Sequence, residues 1–285
     1  METLSSLLLS AVPLLGVQLA LQTLVLGGAG LLLRTHFARR RRVYRLPFDA
    51  GQLRRELLAG VFVVAFDPVM MAVREAGEPV RFGEVTLVSS LVTFAVFFLV
   101  NEAWFYASHR ALHSPWLYFL HAQHHTARVT SPLSTVSFSL AEHILTMLPV
   151  MLVGMWLHRF MPLSPVGLGA FFLVNTAGNL LGHLNVELFP PGFARTRLGQ
   201  VLFSSTFHAQ HHARYRGHYG LYTRVMDRLC GTEFADYPAL QTAAAEGRGL
   251  DALGAHLPVE PAGASRSSRP TPPGTAMPAT GGGAL

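Results

Sequence analysis

The sequence predicts an all-α integral membrane protein: four to five transmembrane helices with a cytosolic helical cap rich in histidine. Three observations predict it. Half of the 285 residues are hydrophobic and only 13 % are charged, against about 25 % charged in a soluble domain. The apolar residues gather into long uncharged runs. Histidines then concentrate beside the ends of those runs: of 14 in the chain, five fall between residues 109 and 125.

Taken in order, residues 4–33 form the first run, free of charge and longer than the roughly 20 residues a helix needs to cross a bilayer. No positive charge precedes it and its apolar core is too long for a signal peptide. Arg34, Arg39 to Arg42, Arg45, Arg54 and Arg55 follow; such a block stays in the cytoplasm, which places the N-terminus outside. Residues 57–73 form a second run interrupted by Asp67-Pro68, where a kink is expected and the carboxylate must face protein or water. The third run, 86–106, ends in Asn101-Glu102-Ala-Trp-Phe-Tyr106. The fourth and fifth, 136–157 and 163–182, are joined by a turn containing Pro162 and Pro165. Counting crossings from the arginine block puts every histidine cluster on the cytosolic side.

Residues 186–240 are less apolar and read as interfacial helices and loops closing over those histidines. Their arginines, at 195, 197, 214, 216, 224 and 228, are expected to present a basic surface to an acidic electron carrier or to lipid phosphates. The organisation is therefore N-terminal membrane helices with a basic loop (1–85), a catalytic region (86–240) and a disordered C-terminal tail (241–285) rich in Pro, Gly and Ser. The net charge of +6 is carried entirely by Arg, a mark of a GC-rich genome. A bacterial inner membrane is the expected location. No nucleic-acid-binding motif accompanies the charge, so nucleic acid is not an expected partner.

The chemistry is carried by three boxes. His109 and His113 are i and i+4 on a helix, so both rings leave one face. His121, His124 and His125 are i, i+3 and i+4 and are expected on one face, and the same spacing recurs as His208, His211 and His212. Eight imidazoles on short helical faces can converge on one centre, and imidazole suits Zn, Cu, Fe and Ni. Cys230 is the only cysteine, so the chain builds no thiolate zinc site or iron–sulfur cluster.

Glu102-x-x-x-Tyr106-x-x-His109-Arg110-x-x-His113, Gly182-His183-Leu184-Asn185 and Met226-Asp227-Arg228-Leu229-Cys230-Gly231-Thr232 resemble elements of the fatty acid hydroxylase/sterol desaturase superfamily, integral-membrane di-iron oxygenases. The resemblance runs from about Glu102 to Glu233. It implies two iron ions as cofactor, O2 as co-substrate, a lipid substrate (fatty acyl, sterol or related), hydroxylation or desaturation, and lipid biosynthesis as the setting. It adds His183 as a ninth ligand. Two stretches depart from the family pattern: Ser137-Phe-Ser139-Leu140-Ala-Glu142 lacks a histidine, and His218-Tyr219-Gly220 stands where N-Y-G is common.

A metal-bound histidine needs its other ring nitrogen hydrogen-bonded. Glu102, which shares a helical face with His109, Glu142, Glu187 and Asp227 are the candidates; the expected catalytic set is Glu102, Tyr106, Glu142, Asn185 and Asp227. His143 points off the face of Glu142 and reads as packing. His218 is either a donor behind a ligand or a surface residue. His36, His158 and His256 are expected in solvent. With one cysteine, no nucleotide-binding glycine motif and no haem domain, an external ferredoxin- or cytochrome-type donor is expected to supply electrons. Zinc is a possible occupant after overexpression, since affinity order alone does not select iron. The alternatives are a zinc-dependent membrane hydrolase and a non-catalytic metal-binding membrane protein. The first would carry a general-base Glu in H-E-x-x-H, and neither box has one; the second would line several spans with polar residues, and these are nearly all apolar.

Overall fold

The computed structural model describes residues 4–77 and 80–259. The helices are α1 (Leu4–Leu33), α2 (His36–Arg40), α3 (Gln52–Gly77), α4 (Leu87–Leu112), α5 (Tyr118–His121), α6 (Leu140–Leu157), α7 (Pro165–His183), α8 (Ser205–Arg214), α9 (Val225–Leu229) and α10 (Tyr237–Ala245). Among the described residues, four helices are long and apolar enough to cross a membrane: α1 from Ala11 onward, α4, α6 and α7. Their apolar residues are largely uncovered by protein, with Leu24, Leu87 and Leu173 at least 70 % exposed. An apolar outer surface of this extent is stable only against lipid, so the chain is a multi-pass membrane protein.

Local chemistry sets the helix starts. Thr86 and Ser89 form a reciprocal capping box at α4. Ser139 accepts from the Glu142 N–H at α6, and Ser164 accepts from Gly167 N at α7, whose first residue is Pro165. Each satisfies an otherwise orphaned backbone donor.

The two ends of the bundle differ. At one end, Gly83 N donates to Leu163 O and Leu163 N to Arg81 O, both at 3.0 Å, so the α3–α4 and α6–α7 connections lie together. At the other, Val43 N donates to Asn185 O and Glu187 N to Arg41 O, stitching the arginine block to the segment after α7. The histidine boxes, the arginine block and the cap therefore share one end, the relation that counting crossings predicts.

The second apolar run lies inside α3, which continues through Pro68 rather than ending there. Asp67 does face protein: it accepts from Gln18 Nε2 at 3.0 Å and pairs with His143 Nε2 at 2.5 Å. His143 is thus a tie between α6 and α3, as its register suggested.

Three expectations change. The stretch 241–257, placed in a disordered tail, is packed: Ala244 and Leu250 bury against Val43, Tyr44, Ala213 and Leu240, with Leu253, Ala255 and Leu257 partly covered. The compositional shift to Pro, Gly and Ser comes later, and residues 260–285 lie outside the described ones. His158, expected in solvent, closes α6 and is buried. Of the six cap arginines, Arg214 is buried on Asp236 and Arg224 on Glu233, so only Arg195, Arg197, Arg216 and Arg228 are exposed.

The exposed thiol of Cys230 in the cap reports sidedness. A membrane-impermeant maleimide labels Cys230 from one side of the membrane only. Phe160→Cys in a Cys230→Ser background, in the α6–α7 turn, is labelled from the other side. Labelling of both from the same side would contradict this arrangement.

Candidate metal centre

The nine box and ninth-ligand histidines converge in two adjoining groups. His109, His113, His121, His125 and His211 form one, with ligand nitrogens within 4.8 Å of one another; His124, His183, His208 and His212 form the other. Eight of the nine are buried and His113 is half-buried.

The boxes do not each serve one group. In the third box, on α8, His208 and His212 are one turn apart and join the four-membered group, while His211 turns to the five-membered one. The second box does the reverse: His121 and His125 join the five, and His124 the four. This box is not one continuous helix, as its spacing suggested. His121 ends α5, and His124 and His125 sit in a tight 3-10 turn with their rings at 86°. The expectation that all three rings share a face is corrected accordingly: the i and i+4 rings of each box share a centre and the i+3 ring crosses over.

What the rings do at their other nitrogen decides what the groups can hold. Nδ1 of His109 bonds Tyr219 O at 2.9 Å, His124 bonds Ser137 O at 3.2 Å, His183 bonds Asn179 O at 2.8 Å, His211 bonds Gly217 O at 2.8 Å and His212 bonds Ala127 O at 2.9 Å. A carbonyl only accepts, so these Nδ1 atoms carry the N–H and their Nε2 atoms are lone pairs. Yet the Nε2 atoms face one another: His109 and His121 at 3.0 Å, His211 and His125 at 3.1 Å, His208 and His183 at 3.1 Å, His183 and His124 at 3.4 Å. In the His183–His124 pair both rings are carbonyl-bonded, so two lone pairs meet, and these repel unless a cation lies between them. Metal–nitrogen bonds of about 2.1 Å place neighbouring ligand nitrogens about 3.0 Å apart in an octahedron and about 3.4 Å apart in a tetrahedron. The residues fit a metal at each group, and the pair forms a candidate dimetal site.

Burial keeps the rings neutral, the form that binds metal. Desolvation, then the neighbouring histidines, holds His121, His124, His125, His208, His211 and His212 well below the ordinary 6.5. Desolvation, with a smaller push from His109, lowers His113 to about 2.

The carboxylates divide by role. Glu142 is the one among those expected that touches a ligand: its Oε1 lies 2.5 Å from His121 Nδ1. Glu102 does not reach His109. It accepts from Tyr222 N, Thr223 N and the Thr223 hydroxyl. Asp227 accepts from Tyr219 N and Gly220 N, fixing the loop whose carbonyls hold His109 and His211. Glu187 takes the Ser204 and Thr206 hydroxyls at the start of α8, where a negative charge also suits the helix dipole. Tyr106 meets Thr232 and Arg110. Asn185, at φ 54°, bonds both backbone groups of Tyr44. Glu102, Tyr106, Asn185 and Asp227, expected in the catalytic set, bond the surrounding frame rather than a ligand ring. The long side chains of Glu102 and Tyr106 reach loop groups that one helix's periodicity cannot show.

His218 is neither a donor to a ligand nor a surface residue. It is fully buried, stacks 3.7 Å from the Phe207 ring, donates from Nδ1 to Phe207 O and accepts from Phe234 N–H at Nε2. The carbonyls of Ala127, Ser137, Asn179, Gly217 and Tyr219 are the partners that sequence reading missed, since every residue offers one.

Residues 94–232 match the fatty acid hydroxylase family model. The chain is 34 % identical over 142 residues to the very-long-chain aldehyde decarbonylase GL1-6 of Oryza sativa subsp. japonica, covering 46 % of this chain and 21 % of that protein. It is 32 % identical over 141 residues to the protein CER1-like 1 of Arabidopsis thaliana, covering 46 % and 21 %. The very-long-chain aldehyde decarbonylase GL1-1 of Oryza sativa subsp. japonica is 30 % identical over 200 residues, covering 68 % and 32 %. The chain thus spans between about a fifth and a third of the length of these relatives. No solved structure matches it significantly.

Two outcomes follow from the site. Stripped of metal by chelator, the protein loses thermal stability as pH falls below 6.5. Unfolded rings then take up protons while the buried ones, held below that value, do not, so the unfolded state binds more protons and stability falls with pH. A melting temperature flat from pH 7 to 5 would contradict it. His183→Ala lowers metal affinity by at least the roughly 10- to 100-fold that loss of a residue behind a ligand costs. His218→Ala instead costs stability, about 1–3 kcal/mol for each buried group left unpaired, and leaves metal stoichiometry unchanged; the reverse ranking would contradict the assignment.

Proposed function

We propose, from the match of residues 94–232 to the fatty acid hydroxylase family model, that the protein is a membrane-bound, O2-dependent di-iron oxidase that hydroxylates or desaturates a long-chain lipid. The observation that carries the proposal is the convergence of nine imidazoles in two adjoining groups at one end of helices built to sit in lipid. Substrates met there are hydrocarbon chains, whose C–H bonds offer no acidic proton and no electrophile. Iron with O2 supplies an oxidant strong enough to remove hydrogen from such a bond.

The chain's own residues provide the setting. Burial of the rings excludes water and keeps them neutral. The carbonyls that accept from Nδ1 fix each ring's direction, and Glu142 does the same for His121. The carboxylates near the centre are engaged: Glu102 and Asp227 on loop N–H groups, Glu142 on a ring nitrogen. The arginine block at the same end argues for a cytosolic centre. The four exposed cap arginines are the surface on which an acidic electron carrier would dock.

A second reading comes from the relatives named very-long-chain aldehyde decarbonylases: loss of the terminal carbon of a long-chain aldehyde at the same centre. One experiment covers both. Iron-loaded protein in lipid vesicles is given O2, a reductase–carrier pair and either mixed acyl lipids or a long-chain aldehyde. Hydroxylation adds one oxygen to the lipid, desaturation removes two hydrogens, and decarbonylation yields a hydrocarbon one carbon shorter. Product requires both O2 and reductant. Multiple turnovers with either omitted would contradict the oxidase.

A further inference from the structure

One face of α3 is unexplained by the membrane. Gln52, Glu56 and Gly60 are spaced by four, so they lie in one row. Gln52 and Glu56 are buried, Glu56 completely. A buried carboxylate on a helix of this kind is costly without a full set of partners. Glu56 has that set, and it is all on one loop or one turn away. Oε2 accepts from the Ser131 hydroxyl at 2.5 Å, and Oε1 accepts from the Ser134 hydroxyl at 2.8 Å and from Gln52 Nε2 at 2.8 Å. Gln52 Nε2 also donates to Val129 O at 2.8 Å. At Gly60 a Cβ would stand 2.7 Å from the Val136 side chain, so the loop lies directly on the helix there. The whole stretch 129–136 is thereby laid along three successive turns of α3.

That stretch is the bridge between two of the carbonyls that aim histidines. Ala127 O, just before it, accepts from His212; Ser137 O, just after it, accepts from His124. Both rings belong to the four-membered group. The five-membered group takes its carbonyls from the loop that Asp227 holds, and its carboxylate from Glu142. The two centres are supported by separate parts of the molecule.

We propose that Glu56 is a positioning residue for one centre only: by fixing the 129–136 loop on α3 it sets the direction of His124 and His212, and its loss empties the His124–His183–His208–His212 site while sparing the other. The inference rests on the dimetal reading above. Within that reading it gives α3 a second duty besides packing on α1.

The test uses full-length protein in detergent, loaded with 57Fe(II), with iron per chain measured by elemental analysis and the two sites resolved by Mössbauer spectroscopy. Wild type shows two iron atoms in two environments; fewer than two would refute the dimetal reading itself. Glu56→Leu is expected to retain one iron, its affinity at the lost site falling tenfold or more, with one environment gone. Glu56→Gln, which keeps an acceptor and fits the same partners, restores most of it. Glu142→Gln, which disturbs His121, is expected to perturb the other environment. Two undisturbed signals in folded Glu56→Leu, or equal loss of both, would overturn the proposal. Should Glu56→Leu fail to fold, Ser131→Ala is measured instead, since it removes one of the three bonds to the carboxylate. Partial loss of the same environment supports the assignment, and an unchanged pair of signals overturns it.

Discussion

The structure depends on lone pairs that have been turned toward one another. Five imidazoles give their only N–H to a backbone carbonyl, so their other nitrogens face inward as acceptors, and those of His124 and His183 face each other. In a dry interior this repulsion is not screened. It is relieved by a cation, and the separations of about 3 Å between nitrogens match the edge of a metal's coordination shell. Everything around the centre serves to hold that otherwise unfavourable geometry in place.

The holding is done at a remove. Asp227 fixes the loop that offers the Gly217 and Tyr219 carbonyls, Glu102 fixes the next turn of the same loop, and Glu187 ties down the start of the helix that bears the third box. Each is a buried carboxylate taking several donors, the condition under which such a charge is tolerated. Gly182 belongs to the same economy of space: a Cβ there would stand 3.2 Å from the His208 ring. The apolar helices then set where the centre sits, beside lipid rather than water.

Much of this was legible in the residues themselves. The uncharged runs gave the membrane helices because length and composition decide that question almost alone. The box spacing gave the histidines, and Glu142 stood out as a carboxylate in an apolar run. The failures share a cause. Glu102, Tyr106, Asn185 and Asp227 sit near histidines in sequence, yet none bonds a ligand ring; Glu102 and Asn185 bond backbone groups 120 and 141 residues away, and Tyr106 bonds the Thr232 hydroxyl. The split of each box between two centres was hidden for a related reason. A helical wheel puts i, i+3 and i+4 on one face, but two centres close together can each take part of that face. Glu56, far from any box, carries no motif at all.

The central claim is that two metals are held by nitrogen alone, five imidazoles at one and four at the other. X-ray absorption at the iron edge of the purified, iron-loaded protein measures this directly. The account predicts a first shell of light atoms at about 2.1 Å, with the outer-shell scattering of four to five imidazoles per iron. A sulfur scatterer, or only one or two imidazoles per iron, would contradict it.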